Sequence, residues 1–275
     1  MLEAIANKLR ANIPPPFPVH TRTIDYKGRS ISICGRESDP HFQGVGLDTN
    51  DPLAFVLARA LPETATVLDV GANIGFTASL AAAHGAKVYA LEPSPSAHPC
   101  LLETIRANGF QKAITPVQKA FGAQVGTISF LDHPGSPSVS HIAADATLDG
   151  HGAIQVPVTT LDQFVKENRL KVDLVKVDVE GFEIDVLAGA VKTIADQKPS
   201  MLLEFNSFTM IAFRDLNPRT LLDRLLEIFP FVYRFADGKP TLVRNKEEQK
   251  AFLHQNLVLH GCVDDLYCRF SAIDI

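Results

Sequence analysis

The sequence predicts an α/β fold: a doubly wound, mostly parallel sheet with helices on both faces, preceded by an N-terminal helix and hairpin extension. Three observations predict it. Apolar runs of strand length alternate with helical stretches from Val67 onward. Several runs end in an acid or amide, namely Asp69, Glu92, Asp178, Glu204 and Asn206. A glycine-bearing turn, Asp69-Val-Gly-Ala-Asn-Ile-Gly75, joins the first run to its helix. Parallel strands joined by helices place their carboxyl ends on one edge, where such sheets bind ligands. The five polar residues are expected to meet there.

In chain order, Met1 to Arg10 reads as an amphipathic helix, and Pro14, Pro15, Pro16 and Pro18 as a stiff extended connector. Thr21 to Tyr26 and Arg29 to Cys34 flank Lys27-Gly28, the pattern of a short hairpin. Asp51-Pro52 supplies an N-cap and first turn for a helix through Ala60. Residues 1–62 are thus expected to form an extension or cap over the ligand edge of a main domain, 63–275. The first parallel strand opens at Val67. Its helix, Ile74 to Ala83, is rich in small residues and stops at His84-Gly85. Lys87 to Leu91 is the second strand, and Pro93 keeps Glu92 extended at its end. The next helix, Pro95 to Asn108, stops at Asn108-Gly109, and Ile114 to Gln118 is the third strand. Ala123 to Leu131 reads as an antiparallel excursion. Asp132 to Gly152, rich in Pro, Ser, His and Gly, is expected to be a mobile loop. Thr160 caps a helix to Asn168. Val172 to Val177 is the most apolar strand, and a helix from Glu183 to Ala190 follows Asp178-Val-Glu-Gly181. Ser200 to Phe205 is the next strand, Asn217-Pro218 starts another helix, and Phe231 to Phe235 suits a core strand better than a sugar-stacking platform.

Composition narrows the classes. At 275 residues the chain can hold one large α/β domain with an added segment. No apolar run approaches transmembrane length, and Met1 to Arg10 mixes charges among its apolar residues with no secretory core, so a cytoplasmic location is expected. Cys34, Cys100, Cys262 and Cys268 lack any C-x-x-C spacing and read as reduced, partly buried thiols. A net charge of −5 argues against nucleic acid as a partner, which needs clustered Lys and Arg. The mixed-sign run Asn245 to Lys250 reads as a solvated loop or helix face.

An acid about 20 residues past a glycine turn grips a ribose diol, because one carboxylate accepts from both hydroxyls. Glu92 stands at that distance, and Gly71 is read as letting the backbone pass close to the ligand. A dinucleotide would need G-x-G-x-x-G, but the second and third glycine positions hold Asn73 and Phe76. Asp69 would also set a negative charge beside a pyrophosphate. An ammonium or sulfonium suits it better, and S-adenosylmethionine carries both.

Four blocks carry a more specific signal: Leu68-Asp-Val-Gly-Ala-Asn-Ile-Gly75, Ala90-Leu-Glu-Pro93, Val158-Thr-Thr-Leu-Asp162 and Asp173-Leu-Val-Lys-Val-Asp-Val-Glu-Gly181. With Leu187-Ala-Gly-Ala190 and Leu202-Leu-Glu-Phe205, they resemble the FkbM family of S-adenosylmethionine-dependent methyltransferases over Val67 to Asn206. The resemblance implies a Rossmann-like class I methyltransferase sandwich. Its sheet would have seven mostly parallel strands with the last antiparallel, and it would transfer a methyl group to an oxygen of a small-molecule or saccharide acceptor. On this sequence it implies that Asp69, Gly71, Ala72, Asn73 and Gly75 line the methionine end of the cofactor. Glu92 and Pro93 would lie at the ribose, Lys119-Ala120-Phe121 at the adenine, and Asp178 beside the cofactor. Ser136 to His141 occupies the place of a serine-bearing loop near the substrate; its proline- and histidine-rich make-up departs from the family.

An alcohol is a poor nucleophile, so a base near its proton should help. Asp178 and Glu180 are the first candidates, two residues apart and on one side if the strand continues. If Glu180 instead lies in the turn before the next helix, it can simply favour the helix dipole. Glu204 and Asn206 face the acceptor in one reading, or join Asp178 as hard oxygen ligands of Mg²⁺. In another, Glu204 anchors a loop. His141, beside His133 and His151, is either a solvated loop residue or a base. Lys176 reaches the polar edge or pairs with an acid. No His or Cys spacing supports zinc. Two rivals stand beside this reading: a nicotinamide-dependent oxidoreductase, and a non-catalytic S-adenosylmethionine-binding homologue.

Overall fold

The computed structural model describes residues 17–48, 50–143 and 153–273. The expectations for Met1 to Arg10, for Pro14 to Pro16, and for the second half of the 132–152 stretch with His151 fall outside those residues. The strands are β1 (His20–Tyr26), β2 (Arg29–Gly35), β3 (Thr66–Val70), β4 (Lys87–Leu91), β5 (Ile114–Val117), β6 (Ala120–Phe121), β7 (Gly126–Leu131), β8 (His141–Ile142), β9 (Ile154–Thr159), β10 (Leu174–Val177), β11 (Ser200–Asn206), β12 (Phe231–Ala236), β13 (Lys239–Leu242) and β14 (Val263–Arg269). The helices are α1 (Pro40–Gly44), α2 (Pro52–Phe55), α3 (Phe76–His84), α4 (His98–Ala107), α5 (Leu161–Asn168), α6 (Glu183–Ala188), α7 (Val191–Gln197), α8 (Ser207–Arg214), α9 (Pro218–Ile228) and α10 (Lys246–His254).

The main sheet has the order β13-β12-β14-β11-β10-β3-β4-β5. Strands β5, β4, β3, β10 and β11 pair in parallel, while β14, the last in the chain, pairs antiparallel with both β11 and β12. Strand β12 therefore runs with the parallel set, which gives seven strands with an antiparallel last one. An eighth, β13, is added at the edge through a two-residue Asp237-Gly238 hairpin turn with both φ positive, 49° and 70°. The same chemistry turns β1 into β2 at Lys27-Gly28. Helices cover both faces, so β3 and β10 are apolar on both sides: Val67, Leu68, Leu174 and Val175 are all buried. Phe229, Val232 and Tyr233 are core residues, as their sequence pattern predicts. The four cysteines are free thiols, and the Asn245 run starts α10 with a capping box to Glu248.

The excursion after β5 is a second sheet, β6-β9-β7-β8, beside the carboxyl edge. The described part of the 132–152 stretch is ordered: it holds a 3₁₀ turn at Pro137–Val139 and strand β8, and His133 N donates to Ser140 Oγ at 2.9 Å. The N-terminal hairpin packs on the flank of the sandwich formed by α3 and α4, not over the ligand edge. Its Tyr26, Ile31 and Ile33 share a core with Ile74, Leu101 and Ile105. Ser32 and Asn108 exchange two hydrogen bonds, of 2.8 and 2.6 Å, and Cys34 N donates to Thr104 Oγ1 at 2.9 Å. Among the described residues of the extension, the segment after the hairpin reaches the ligand edge, through His41.

Gly71 has φ +84°, and a Cβ there would stand 1.7 Å from the carbonyl oxygen of Asp178. The glycine is thus required by the protein's own chain at the end of β10, and it also lines the cleft. Gly71→Ala is expected to lower stability by ~2–5 kcal/mol, the left-handed cost plus overpacking. In urea this is a lower midpoint at constant slope.

Candidate active site

The carboxyl ends of β3, β4, β10 and β11 open onto a cleft of ≈ 210 Å³. On one side Gly71 N and Ala72 N both donate to Leu91 O at 3.0 Å, drawing the glycine turn against the end of β4. That turn offers Asn73 N to Glu92 Oε2 at 2.8 Å, while Ser94 N donates to Oε1 at 2.8 Å. Each carboxylate oxygen keeps a lone pair. Burial pushes the Glu92 carboxyl up to about 7, against the two N–H donors that lower it. Asn73 takes a left-handed φ of 47°, and its Oδ1 is buried with no hydrogen-bond partner. Pro93, Ala120, Phe121 and Lys119 complete this wall.

Two residues expected here are elsewhere. Asp69 is 1 % exposed and lies behind the cleft wall, in register with Lys176 on the neighbouring strand. Gly75 starts α3 at φ +89°, where a Cβ would come within 2.7 Å of Leu101 Cδ1, so its role is helix packing. Its neighbour Phe76, in the third glycine position of a dinucleotide motif, lines the cleft instead.

On the other side, oxygens of Asp178, Glu180 and Glu204 lie within 4.8 Å of one another. Strand β10 ends at Val177, so Glu180 is not its strand neighbour. Glu180 takes φ +53° in a turn completed by Gly181 at φ +94°. The turn, not a period of two, brings the carboxylate into the cleft. A glutamate held in this conformation costs roughly 1–2 kcal/mol, and such strain collects at functional sites. Glu183, unremarked in the sequence, braces the turn: its Oε1 accepts from Gly181 N at 3.1 Å and Val179 N at 3.4 Å. An acid just inside a helix that follows a glycine turn was the available signal.

Lys176, fully within the sheet, donates to Asp178 Oδ2 at 3.2 Å. Burial disfavours its charge, but Asp178, Asp265, Glu204 and Asp69 outweigh that and push its pKa up. Asp265 sits opposite Glu204 on β14, a pairing no local motif announces. Burial and the charge of Asp178 push both Glu180 and Glu204 upward. Asn206 is a helix cap: its Oδ1 accepts from Thr209 N at 3.2 Å and its Nδ2 donates to Glu204 Oε2 at 3.3 Å. The expected Asp178–Glu204–Asn206 oxygen set is therefore replaced by Asp178, Glu180 and Glu204.

His141 enters from β8 and is 7 % exposed. Its Nδ1–H donates to Val139 O at 2.9 Å, which in the neutral ring puts the lone pair on Nε2. The ring stacks flat on Phe213 of α8, with centroids 3.9 Å apart. His41 lines the same cleft from the N-terminal extension. Neither His41 nor Phe213 carries a sequence motif; the tertiary fold delivers them.

The buried acids set the pH dependence. Asp69, Glu92 and Glu183 are each raised to about 7 and Asp265 to about 6, all chiefly by burial. The folded, ligand-free chain therefore binds more protons than the unfolded one from the ordinary carboxylate range up to about pH 7. Stability is expected to be greatest at the acidic end of that window and to fall as pH rises through it. Denaturant melts across this window check the sign.

The strand order, the antiparallel last strand and the carboxylate at the end of the second parallel strand define a class I methyltransferase type of fold. Residues 69–234 match the Methyltransferase FkbM domain, and the chain belongs to that family. It is 32% identical over 148 residues to hexuronic acid methyltransferase AglP of Haloferax volcanii, covering 52% of this chain and 57% of the relative. It is 26% identical over 159 residues to methyltransferase sdnD of Sordaria araneosa, covering 47% of this chain and 61% of the relative. The chain thus spans about three fifths of the length of these curated relatives. The crystal structure of methyltransferase FkbM from Methylobacillus flagellatus KT aligns with a TM-score of 0.50 at 17% identity, covering 79% of this chain and 48% of that one. That likeness is one of fold. Among the described residues, no helix is long and apolar enough to cross a membrane.

Proposed function

We propose that this protein is an S-adenosylmethionine-dependent O-methyltransferase acting on a hydroxyl of a small molecule or saccharide. The observation that carries the reading is the Glu92 carboxylate, fixed by Asn73 N and Ser94 N at the cleft wall with a lone pair left on each oxygen. The residues fit the cofactor. Glu92 would hold the ribose hydroxyls, and the unpartnered Asn73 Oδ1 would accept from the ammonium of the methionine moiety. Phe121 and Ala120 would flank the base. The excess of carboxylates suits a ligand bearing positive charge.

When bound, the cofactor supplies an activated methyl group on a sulfonium. The chain's own task is to align the acceptor and take its proton. Asp178 is anchored by Lys176 and serves to orient. Glu180, with its proton affinity raised by burial and by Asp178, suits the base. His141, stacked on Phe213 and held through Nδ1 by Val139 O, lies on the acceptor side of the cleft. Residues 17–62 contribute to the acceptor side through His41, as part of the same unit and not as a separate lid.

Calorimetry is the test: saturable binding of both S-adenosylmethionine and S-adenosylhomocysteine is expected, and no binding of either overturns the reading. A tritiated-methyl screen of saccharides, hexuronic acids among them because of the Haloferax volcanii relative, identifies the acceptor. A second reading, supported by the 4.8 Å carboxylate group, gives Asp178, Glu180 and Glu204 a divalent cation such as Mg²⁺. Unchanged transfer after EDTA treatment removes it.

A further inference from the structure

We propose that Asp132 is a positioning residue that joins the ribose-gripping wall of the cleft to its acceptor wall; the inference rests on the cofactor reading above. Asp132 is the first residue after β7. Its Oδ1 accepts from Ser94 Oγ and its Oδ2 from Ser96 Oγ, each at 2.5 Å. Those lengths belong to charge-assisted O–H···O⁻ bonds, the strong class. Ser94 is fully committed: its hydroxyl oxygen accepts from Ser96 N at 3.1 Å and Ala97 N at 2.9 Å, and its own N donates to Glu92 Oε1. A continuous line of hydrogen bonds therefore runs from Asp132 through Ser94 and Glu92 to Asn73 N.

From Asp132 the chain goes directly into the acceptor side. His133 N closes on Ser140 Oγ, and Ser140, His141 and Ile142 line the cleft. The outer rim of this loop is tied to the N-terminal extension by Arg36, which donates to Pro134 O, and by Ser38 Oγ, which donates to Gly135 O at 2.9 Å. Asp132 is thus the joint at which the loop meets the turn that holds Glu92. Filling the ribose site loads Glu92, Ser94 and Asp132 in turn, and so holds 133–142 more tightly before an acceptor arrives.

The test uses the full chain and S-adenosylhomocysteine. In the wild type this ligand is expected to slow amide exchange in 92–97 and also in 133–142. Asp132→Ala should weaken its binding about tenfold and abolish the slowing in 133–142, while Asp132→Asn, which keeps one oxygen acceptor, recovers part of both. If Asp132→Ala does not fold, Ser94→Ala removes the hydroxyl that ties Asp132 to the Glu92 turn and carries the same comparison. Affinity within about twofold of wild type, with the 133–142 response intact, overturns the inference and leaves the cofactor reading standing. Failure of the wild type to bind S-adenosylhomocysteine overturns both.

Discussion

Glu180→Gln is expected to lower methyl transfer by about 10²–10⁴-fold, the span general-base removal produces, with affinity for S-adenosylhomocysteine held within about threefold. Glutamine has the same shape and faces the same left-handed backbone cost, so the turn at φ +53° is preserved and only the proton acceptor is lost. The rate of the wild type should rise with pH through the range where Glu180 ionises, because only its charged form takes a proton. That limb should vanish in the variant. Asp178→Asn separates the two acids: it removes the partner of Lys176 and is expected to slow turnover by misorienting the site. With an acceptor found in the saccharide screen, equal turnover of wild type and Glu180→Gln would remove Glu180 from the chemistry.

Glu92→Ala is expected to weaken binding of S-adenosylhomocysteine by about 10²-fold, the worth of one or two charge-assisted hydrogen bonds at 1.5–3 kcal/mol each. The loss has two sources. The diol grip goes, and Asn73 N and Ser94 N lose their acceptor, which loosens the turn that shapes the wall. Glu92→Gln retains one oxygen but turns an amide N–H₂ toward a backbone N–H, so it should fall between. Relief of a buried acid also makes Glu92→Ala less sensitive to pH than the wild type in ligand-free melts, since one group raised to about 7 is gone. Calorimetry showing an unchanged dissociation constant would end the assignment of Glu92 to the ribose.

Much of this was readable in the chain. Period and punctuation located β3, β4, β10 and β11 to within a residue or two, because strands buried on both faces must be apolar throughout. The same reading put Glu92, Asp178 and Glu204 on one edge, since parallel strands share their carboxyl ends. Local rules also found the Thr160 cap and the Lys27-Gly28 hairpin.

The sequence by itself determined the sheet, its ligand edge and the absence of a third glycine, all of which are properties of one segment at a time. Only the tertiary structure decided what each residue touches. It gave Gly71 a second constraint, the Asp178 carbonyl packed against it, buried Asp69 within the sheet, packed Gly75 against Leu101, and made Asn206 a cap. It chose Asp178 as the acid that Lys176 pairs with, and it supplied Glu183, His41, Phe213 and the Asp132 joint. The physical reason is that hydrogen bonds and close contacts form between segments more than a hundred residues apart, as Thr66 and Asp173 are. Their geometry is set by how the layers pack, and no local pattern of residues encodes that.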